Sequence, residues 1–308
     1  MGKASKAKRQ GSTRQQRIAA QRAAARRAEI RNRILIVSGS VVVVIAVVLA
    51  FVLVKVNSNG KSPASSSANG PTGTALATVV KNTTTVPAST LDSVGAGSGV
   101  TGLPKPITGS ALTSGGKPEV LYMGAEYCPF CAAERWGMVV ALSRFGTFKN
   151  LSTTHSASGD QFPNTATFTF YKSSYTSKYL TFSPVEMETN KLASGGQSYT
   201  TLQTPTAAQN ALLAKYDAPP YVASANKGAI PFVDIGNKYM ISGSSFSPQI
   251  LQGKTWSQIA TALKNPSSPI AKAVDGTANY ITAAICKVTG NQPASACTPA
   301  VKKLEAKL

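Results

Sequence analysis

Histidine is almost missing from this chain, which has one, His155, in 308 residues. A structural zinc site takes four Cys or His ligands, and this chain has only His155 and four cysteines to draw them from. Acids are scarce too, 12 against 32 Lys and Arg, for a formal charge of +20. No internal repeat marks a solenoid or propeller, and 43% apolar residues argue against wholesale disorder. What remains is a chain long enough for one large or two small domains.

The charge is unevenly placed. Residues 1–33 carry eleven Lys or Arg against one acid, Glu29. The 21 residues from Ile34 to Val54 then contain no charge and end at Lys55. A helix needs about 20 such residues to cross a bilayer core. A cleaved signal peptide has a shorter apolar region with a small-residue site close behind it, so the run is expected to be an uncleaved signal anchor. Flanking Lys and Arg stay in the cytoplasm. That places the N-terminus inside, makes the protein single-pass in the cell membrane, and puts everything after Lys55 outside, where disulfides persist. The basic tail, residues 1–33, reads as a topology signal that also touches anionic lipid headgroups, each basic residue contributing on the order of 1 kcal/mol. Phosphates of nucleic acid attract the same charges, but nothing here specifies a nucleic acid.

Residues 55–110 are rich in Ser, Thr, Gly, Ala and Pro and read as a tether. Within it "VPASTLDSVG" is expected to make a helical turn or two that docks through Val86, Leu91 and Val94. From residue 111 to 308 the pattern changes to a folded domain. "ALTSGGKPEVLYMG" predicts two strands about a Gly-Gly turn, and "TATFTFY", "KYLTFSPVEM", "AIPFVDIG" and "KYMISG" are further strand candidates. Helical spacing follows Trp136, Val139 and Val140, and "TAAQNALLAKYD", "TWSQIATALK" and "IAKAVDGTANYITAAICKV" are helix candidates. Strands interleaved with helices predict an α/β domain.

The chemistry concentrates at Cys128 and Cys131, separated by Pro129 and Phe130. A C-x-x-C that follows an apolar strand and opens a helix sits where backbone N–H groups and the helix dipole favour negative charge. The first thiol is then stabilised as the thiolate, the attacking species. Pro129 suits the first helical position, and Cys131, one turn in, is placed to resolve a mixed disulfide at Cys128. Two rivals stand beside this reading. One is a zinc site, for which the spacing of Cys286 and Cys297 fits poorly. The other is a structural Cys128–Cys131 disulfide, whose short loop would constrain the unfolded chain little.

These residues resemble the thioredoxin superfamily. "LYMGAEYCPFC" is similar to its strand and active-site dithiol, with Tyr127 where tryptophan is usual, and "GAIPFVDIGNKYMISG" is similar to its cis-proline loop and hairpin. The wider match, about residues 86–300 including "GAEYCPFCAAERW" and "ALSRFGTF", resembles a poorly characterised prokaryotic family of membrane-anchored thioredoxin-like proteins. The resemblance implies a thioredoxin-like domain in which Ile230 and a cis Pro231 face the dithiol. Tyr127, Pro129, Phe130, Ile230 and Pro231 would then meet substrate, with Phe130 exposed. Where the superfamily carries a buried acid on the strand before the dithiol, this chain has Tyr122. Glu126 or Glu134 could assist proton handling in its place, with exposed surface acids the favoured reading of both. Between the active-site helix and the cis-proline strand lies an insertion, residues 150–225, expected to cap the site.

Cys286 and Cys297 are expected to pair as a structural disulfide, with a second redox couple as the rival reading. His155 is expected to be an ordinary polar or core residue. The expectation is therefore a thiol–disulfide oxidoreductase acting on extracytoplasmic protein thiols and disulfides. It needs no cofactor and no metal, and its redox partner is a quinone-linked oxidase or a thiol-electron transporter in the membrane. A non-enzymatic tethered binding module with a structural C-x-x-C is the alternative.

Overall fold

The computed structural model describes residues 70–308. The basic tail, the expected membrane span and the start of the tether lie outside the described residues. Among those described, no helix is long and apolar enough to cross a membrane.

The sheet is organised by the most apolar strand of the chain, β3 (Lys117–Gly124), which follows the two-residue strands β1 (Lys105–Pro106) and β2 (Thr113–Ser114). Its last five residues are buried, as expected of a strand covered on both faces. β8 (Thr181–Glu186) lies parallel to it, with Val120 opposite Phe182 and Gly124 opposite Glu186. On its other side β11 (Phe232–Ile235) runs antiparallel, Phe232 opposite Met123, and is followed by β12 (Tyr239–Ser242) and β1. Strand alternation sends Val120 and Tyr122 into one core cluster with Trp136, Val233 and Ile281. Leu121 and Met123 go the other way, to Ile107, Tyr216, Phe232 and Met240. The α/β class expected from the sequence is thus observed, as a mixed sheet flanked by helices.

Of the seven α-helices among the described residues, five open at a capping side chain. In chain order the seven are α1 (Gly73–Thr84), α2 (Ala88–Val94), α3 (Pro129–Ser143), α4 (Ala207–Tyr216), α5 (Trp256–Ala262), α6 (Pro269–Val288) and α7 (Pro299–Glu305). Thr206 and Thr255 open α4 and α5 with reciprocal capping boxes to Gln209 and Gln258. α3, α6 and α7 begin with proline after a capping side chain. α3 and α6 cross closely at Gly137, where a Cβ would stand 2.6 Å from Cγ2 of Thr277.

The segment expected to be tether holds more structure than the sequence suggested. α2 docks through the buried Leu91 as expected, but α1 was not anticipated. Its Leu76, Val79, Val80 and Thr83 follow helical spacing inside a Thr/Ala/Gly-rich background, and Val79 and Thr83 are buried. Between α3 and β11 the chain forms three two-stranded ladders: β4 (Gly146–Lys149) with β7 (Ser174–Ser177), β5 (Ser152–His155) with β6 (Ala166–Thr169), and β9 (Glu188–Leu192) with β10 (Tyr199–Thr201); residues 150–225 are thus not one insertion, since they also hold α4 and the main-sheet strand β8. Trp136 Nε1 donates to Ala166 O at 2.9 Å, and Trp256 Nε1 to Thr167 O at 2.7 Å, so α3 and α5 grip β6 between them.

Cys286 and Cys297 form the expected disulfide, joining the end of α6 to the residue before the cap of α7. Both are buried, at 0% and 3% exposure. With a sequence separation of 11, the chain-entropy argument gives the bridge about 3 kcal/mol. The pair Cys286→Ser/Cys297→Ser is expected to lower the unfolding free energy by that order in urea titrations.

The core also encloses several acids. Burial raises Glu134 to about 7, Asp234 to about 7 and Asp275 to about 8. A carboxyl raised in this way is favoured by the fold in its neutral form. Its contribution is full below its unfolded value and is lost as pH rises through the folded value, at about 1.4 kcal/mol for each tenfold change in the ionisation equilibrium. Unfolding free energy is therefore expected to fall from about pH 4 to about pH 8, and Asp275→Asn should flatten the upper part of that slope. Urea midpoints measured across this range, with stability rising instead of falling, would contradict the assignment.

Candidate functional site

The end of β3 delivers the chain to the dithiol. After Gly124 a short turn leads to Cys128, whose backbone is extended (φ −76°, ψ 121°) and whose sulfur takes the place of a capping oxygen at the start of α3. The Cys131 N–H donates to Cys128 Sγ at 3.2 Å. Pro129 occupies the first turn, where its missing N–H costs nothing. Both cysteines are free thiols.

Their surroundings separate the two thiols. Cys128 is held below the ordinary thiol value by its hydrogen bond from the Cys131 side chain, aided by the Cys131 and Phe130 N–H groups and the Arg135 charge and opposed by burial. Cys131 is pushed well up, first by complete burial and then by its role as donor to Cys128. This is the division of labour that an attacking thiolate and a protonated resolving thiol require.

Across from the dithiol stands the Ile230–Pro231 peptide, which is cis. The Cys128 thiol reaches the Ile230 carbonyl oxygen at 3.7 Å. The residues that the resemblance singled out are thus brought together by β11, which begins at the next residue. Phe130 is 38% exposed, one of two large apolar side chains in that class among the described residues. Pro129 and Pro231 are buried, Ile230 and Tyr127 half-buried. Cys128 itself keeps 5% exposure, so its access is narrow.

The segment between α3 and β11 comes up to this site. Ala157 N–H donates to Tyr127 O at 2.8 Å, and Glu126 N–H to Glu188 O at 2.8 Å. Tyr127 stacks on Tyr199 with centroids 4.2 Å apart, while Phe162 meets Phe130 edge to face at 6.0 Å. His155 lies on β5, its Nδ1 2.8 Å from Ser156 O, and its backbone oxygen accepts from the Asn190 amide. Among the described residues no group of three or more His, Cys, Asp or Glu is arranged to hold a metal.

Charged groups behind the dithiol went unnoticed in the sequence. Arg135 and Glu186 are both fully buried and paired at 2.6 Å, with Arg135 Nε also donating to Glu186 Oε1 at 2.8 Å. Arg135 Nη2 donates to Ala125 O at 2.7 Å, and Glu186 Oε1 accepts from Phe170 N–H at 3.1 Å. Glu134, expected to be exposed, is fully buried; its carboxyl accepts from Ser245 N–H at 2.7 Å and lies 3.1 Å from Ser245 Oγ. Glu126 is half-buried. One signal was available: α3 is apolar on every side, and a helix of that kind is buried all round, which forces any charge within it to find a partner. Glu186, 51 residues from Arg135, carried no local signal.

The chain therefore presents a mixed α/β domain with a free C-x-x-C dithiol opening a helix beside a cis-proline. Residues 106–287 match the model of a family described as a domain of unknown function, DUF929, and the chain belongs to that family. No curated protein and no solved structure matches the chain.

Removing one partner of a buried ion pair leaves the other charge stranded, at about 3–5 kcal/mol. Glu186→Gln is expected to destabilise the chain by that order in urea titrations. A loss below about 1 kcal/mol, the range of solvated pairs, would show that the Arg135–Glu186 pair is open to water.

Proposed function

We propose that this protein is a membrane-anchored extracytoplasmic thiol–disulfide oxidoreductase of thioredoxin-like fold, acting on protein thiols and disulfides through Cys128 and Cys131. The observation that carries the reading is the site's geometry. A sulfur caps the first turn of α3, accepts the Cys131 N–H, and lies beside the carbonyl of a cis Ile230–Pro231 peptide. The anchor rests on the sequence, where a basic tail precedes 21 uncharged residues.

In the reducing direction the Cys128 thiolate attacks one sulfur of a substrate disulfide. The substrate S–S bond breaks, a substrate thiolate leaves, and a mixed disulfide joins Cys128 to the other half. Cys131 then gives up its proton and attacks Cys128 Sγ, releasing the second substrate thiolate. The two electrons of the dithiol end on the two substrate sulfurs, and the reverse sequence oxidises a substrate dithiol. Ile230 supplies backbone beside the reacting sulfur for an extended substrate, and Tyr127 and Phe130 offer it apolar surface. The dithiol itself carries the electrons, so no cofactor enters. A quinone-linked oxidase or thiol-electron transporter in the same membrane would reset the pair.

The 5% exposure of Cys128 favours a second reading, a tethered binding module whose C-x-x-C is structural. Alkylation separates the two. Under the first reading Cys128 reacts with iodoacetamide in the native chain, with a pH midpoint below the ~8.5 of an ordinary thiol. Cys128→Ser should abolish exchange with oxidised glutathione, and Cys131→Ser should accumulate the mixed disulfide. A Cys128 that reacts only on unfolding would decide for the binding module. Equilibration with a glutathione buffer then gives the potential, and with it the direction of exchange.

A further inference from the structure

Tyr122 is the largest feature of the site that the exchange reading leaves unused. Its side chain is fully buried on β3, and its hydroxyl has no hydrogen-bond partner among the described residues. Arg135 Nη1 is a second buried donor in the same condition. The Arg135 guanidinium lies over the Tyr122 ring, 5.7 Å from its centroid. Two adjacent donors buried without acceptors are unusual in a core.

Gly124 shows what the Tyr122 hydroxyl faces. A Cβ on that residue would stand 2.2 Å from Tyr122 Oη and 3.1 Å from Cys131 Sγ. The hydroxyl and the resolving sulfur thus border one small space, kept open by the missing side chain. Cys128 Sγ accepts from the Cys131 N–H, and the charge that acts on Cys131 is that of Arg135, which Glu186 holds through both Nε and Nη2. Tyr127 is the remaining titratable group close by, pushed up to about 12, mainly by burial and then by the Glu188 charge. The neutral Cys131 sulfur is a weak acceptor, and it becomes a strong one when Cys131 loses its proton.

We propose that Tyr122 is the hydrogen-bond donor to the Cys131 thiolate, and that Arg135, fixed by Glu186, supplies the opposing positive charge, so that these groups set the rate of the resolving step. The inference rests on the exchange reading of Cys128 and Cys131. In that step the Cys131 proton passes to the substrate thiolate released in the first step. The Cys131 electron pair then forms the bond to Cys128 Sγ while the pair of the Cys128–substrate bond departs with the substrate sulfur. Tyr122 keeps its own proton throughout. Its role fits the raised ionisation of the phenol, for which burial is the main cause, with the charges of Glu186, Cys131 and Cys128 adding to it against Arg135.

The test uses the full chain with Tyr122→Phe, which removes one unpartnered hydroxyl and keeps the ring. Thiolate absorbance at about 240 nm is titrated in a Cys128→Ala background, where Cys131 is the one free thiol, and a Cys128→Ala/Cys131→Ser chain is subtracted as blank. Tyr122→Phe is expected to raise the Cys131 midpoint by about one pH unit, a tenfold loss of thiolate. In the chain with both cysteines, loaded with glutathione on Cys128, glutathione release near neutral pH should slow about tenfold while the rate at alkaline pH is retained. Attack on oxidised glutathione by Cys128 should change less. An unchanged Cys131 midpoint overturns the donor role in a chain that still exchanges. A chain with its native Tyr122 that takes no glutathione overturns the exchange reading, and the catalytic use of the donor with it.

Discussion

The hydrogen bond from the Cys131 N–H to Cys128 Sγ is the contact on which the rest of the site depends. A helix start leaves N–H groups without partners, and serine, threonine or aspartate oxygen usually satisfies them. Here a sulfur does, at 3.2 Å. The same contact stabilises negative charge on Cys128 and orients it toward the Ile230 carbonyl. It works only if α3 cannot shift, and α3 is held on several sides. Gly137 lets α6 approach to within van der Waals range of its backbone, Trp136 bonds to β6, and Glu134 accepts from Ser245 beyond β12. The cap is local, whereas the residues that fix it are spread from Glu134 to Thr277.

A helix enclosed to that degree has no wet face for its charged residues. Arg135 is therefore carried into the core, where an unpaired guanidinium is costly. Glu186 answers it from β8, the strand parallel to β3, whose register places Glu186 opposite Gly124. The pair sits beneath the dithiol because the two strand ends and the helix start converge there. Structural need and chemical use coincide: the charge that Glu186 fixes for packing also lowers the cost of negative charge on both sulfurs. Coupling of this kind makes the stability of α3 and the reactivity of the thiols respond to the same substitutions.

How much of this was legible in the sequence followed the range of each interaction. The α/β class, the strand before the dithiol, the helix starts at Pro129, Thr206 and Thr255, and the Cys286–Cys297 bridge all rest on signals within about a dozen residues. The cis Ile230–Pro231 peptide was implied by resemblance and is observed. α1 escaped because four residues at helical spacing are diluted by threonine and alanine, whose composition reads as tether. Glu134 was misjudged because acids are mostly exposed, although the apolar faces around it already denied it solvent. Glu186 was out of reach, since only the parallel pairing of β3 with β8 brings it to Arg135.

Under the proposed exchange reaction, a tyrosine at position 122 where the resemblance implies an acid follows from the same geometry. A carboxylate on β3 facing Cys131 would add negative charge to a space that must accommodate a thiolate, and burial would drive it toward its neutral form. A phenol stays neutral there and presents a donor, but it brings no positive charge of its own. That charge comes from Arg135, which lies over the ring, the guanidinium needs Glu186 to remain buried, and Gly124 leaves room for the Tyr122 hydroxyl beside the Cys131 sulfur. The four residues form a set in which each makes the next tolerable. Exchanging tyrosine for an acid alone would place a second carboxyl near the Arg135 already matched to Glu186, and any ionised fraction of it would raise the cost of a thiolate at Cys131.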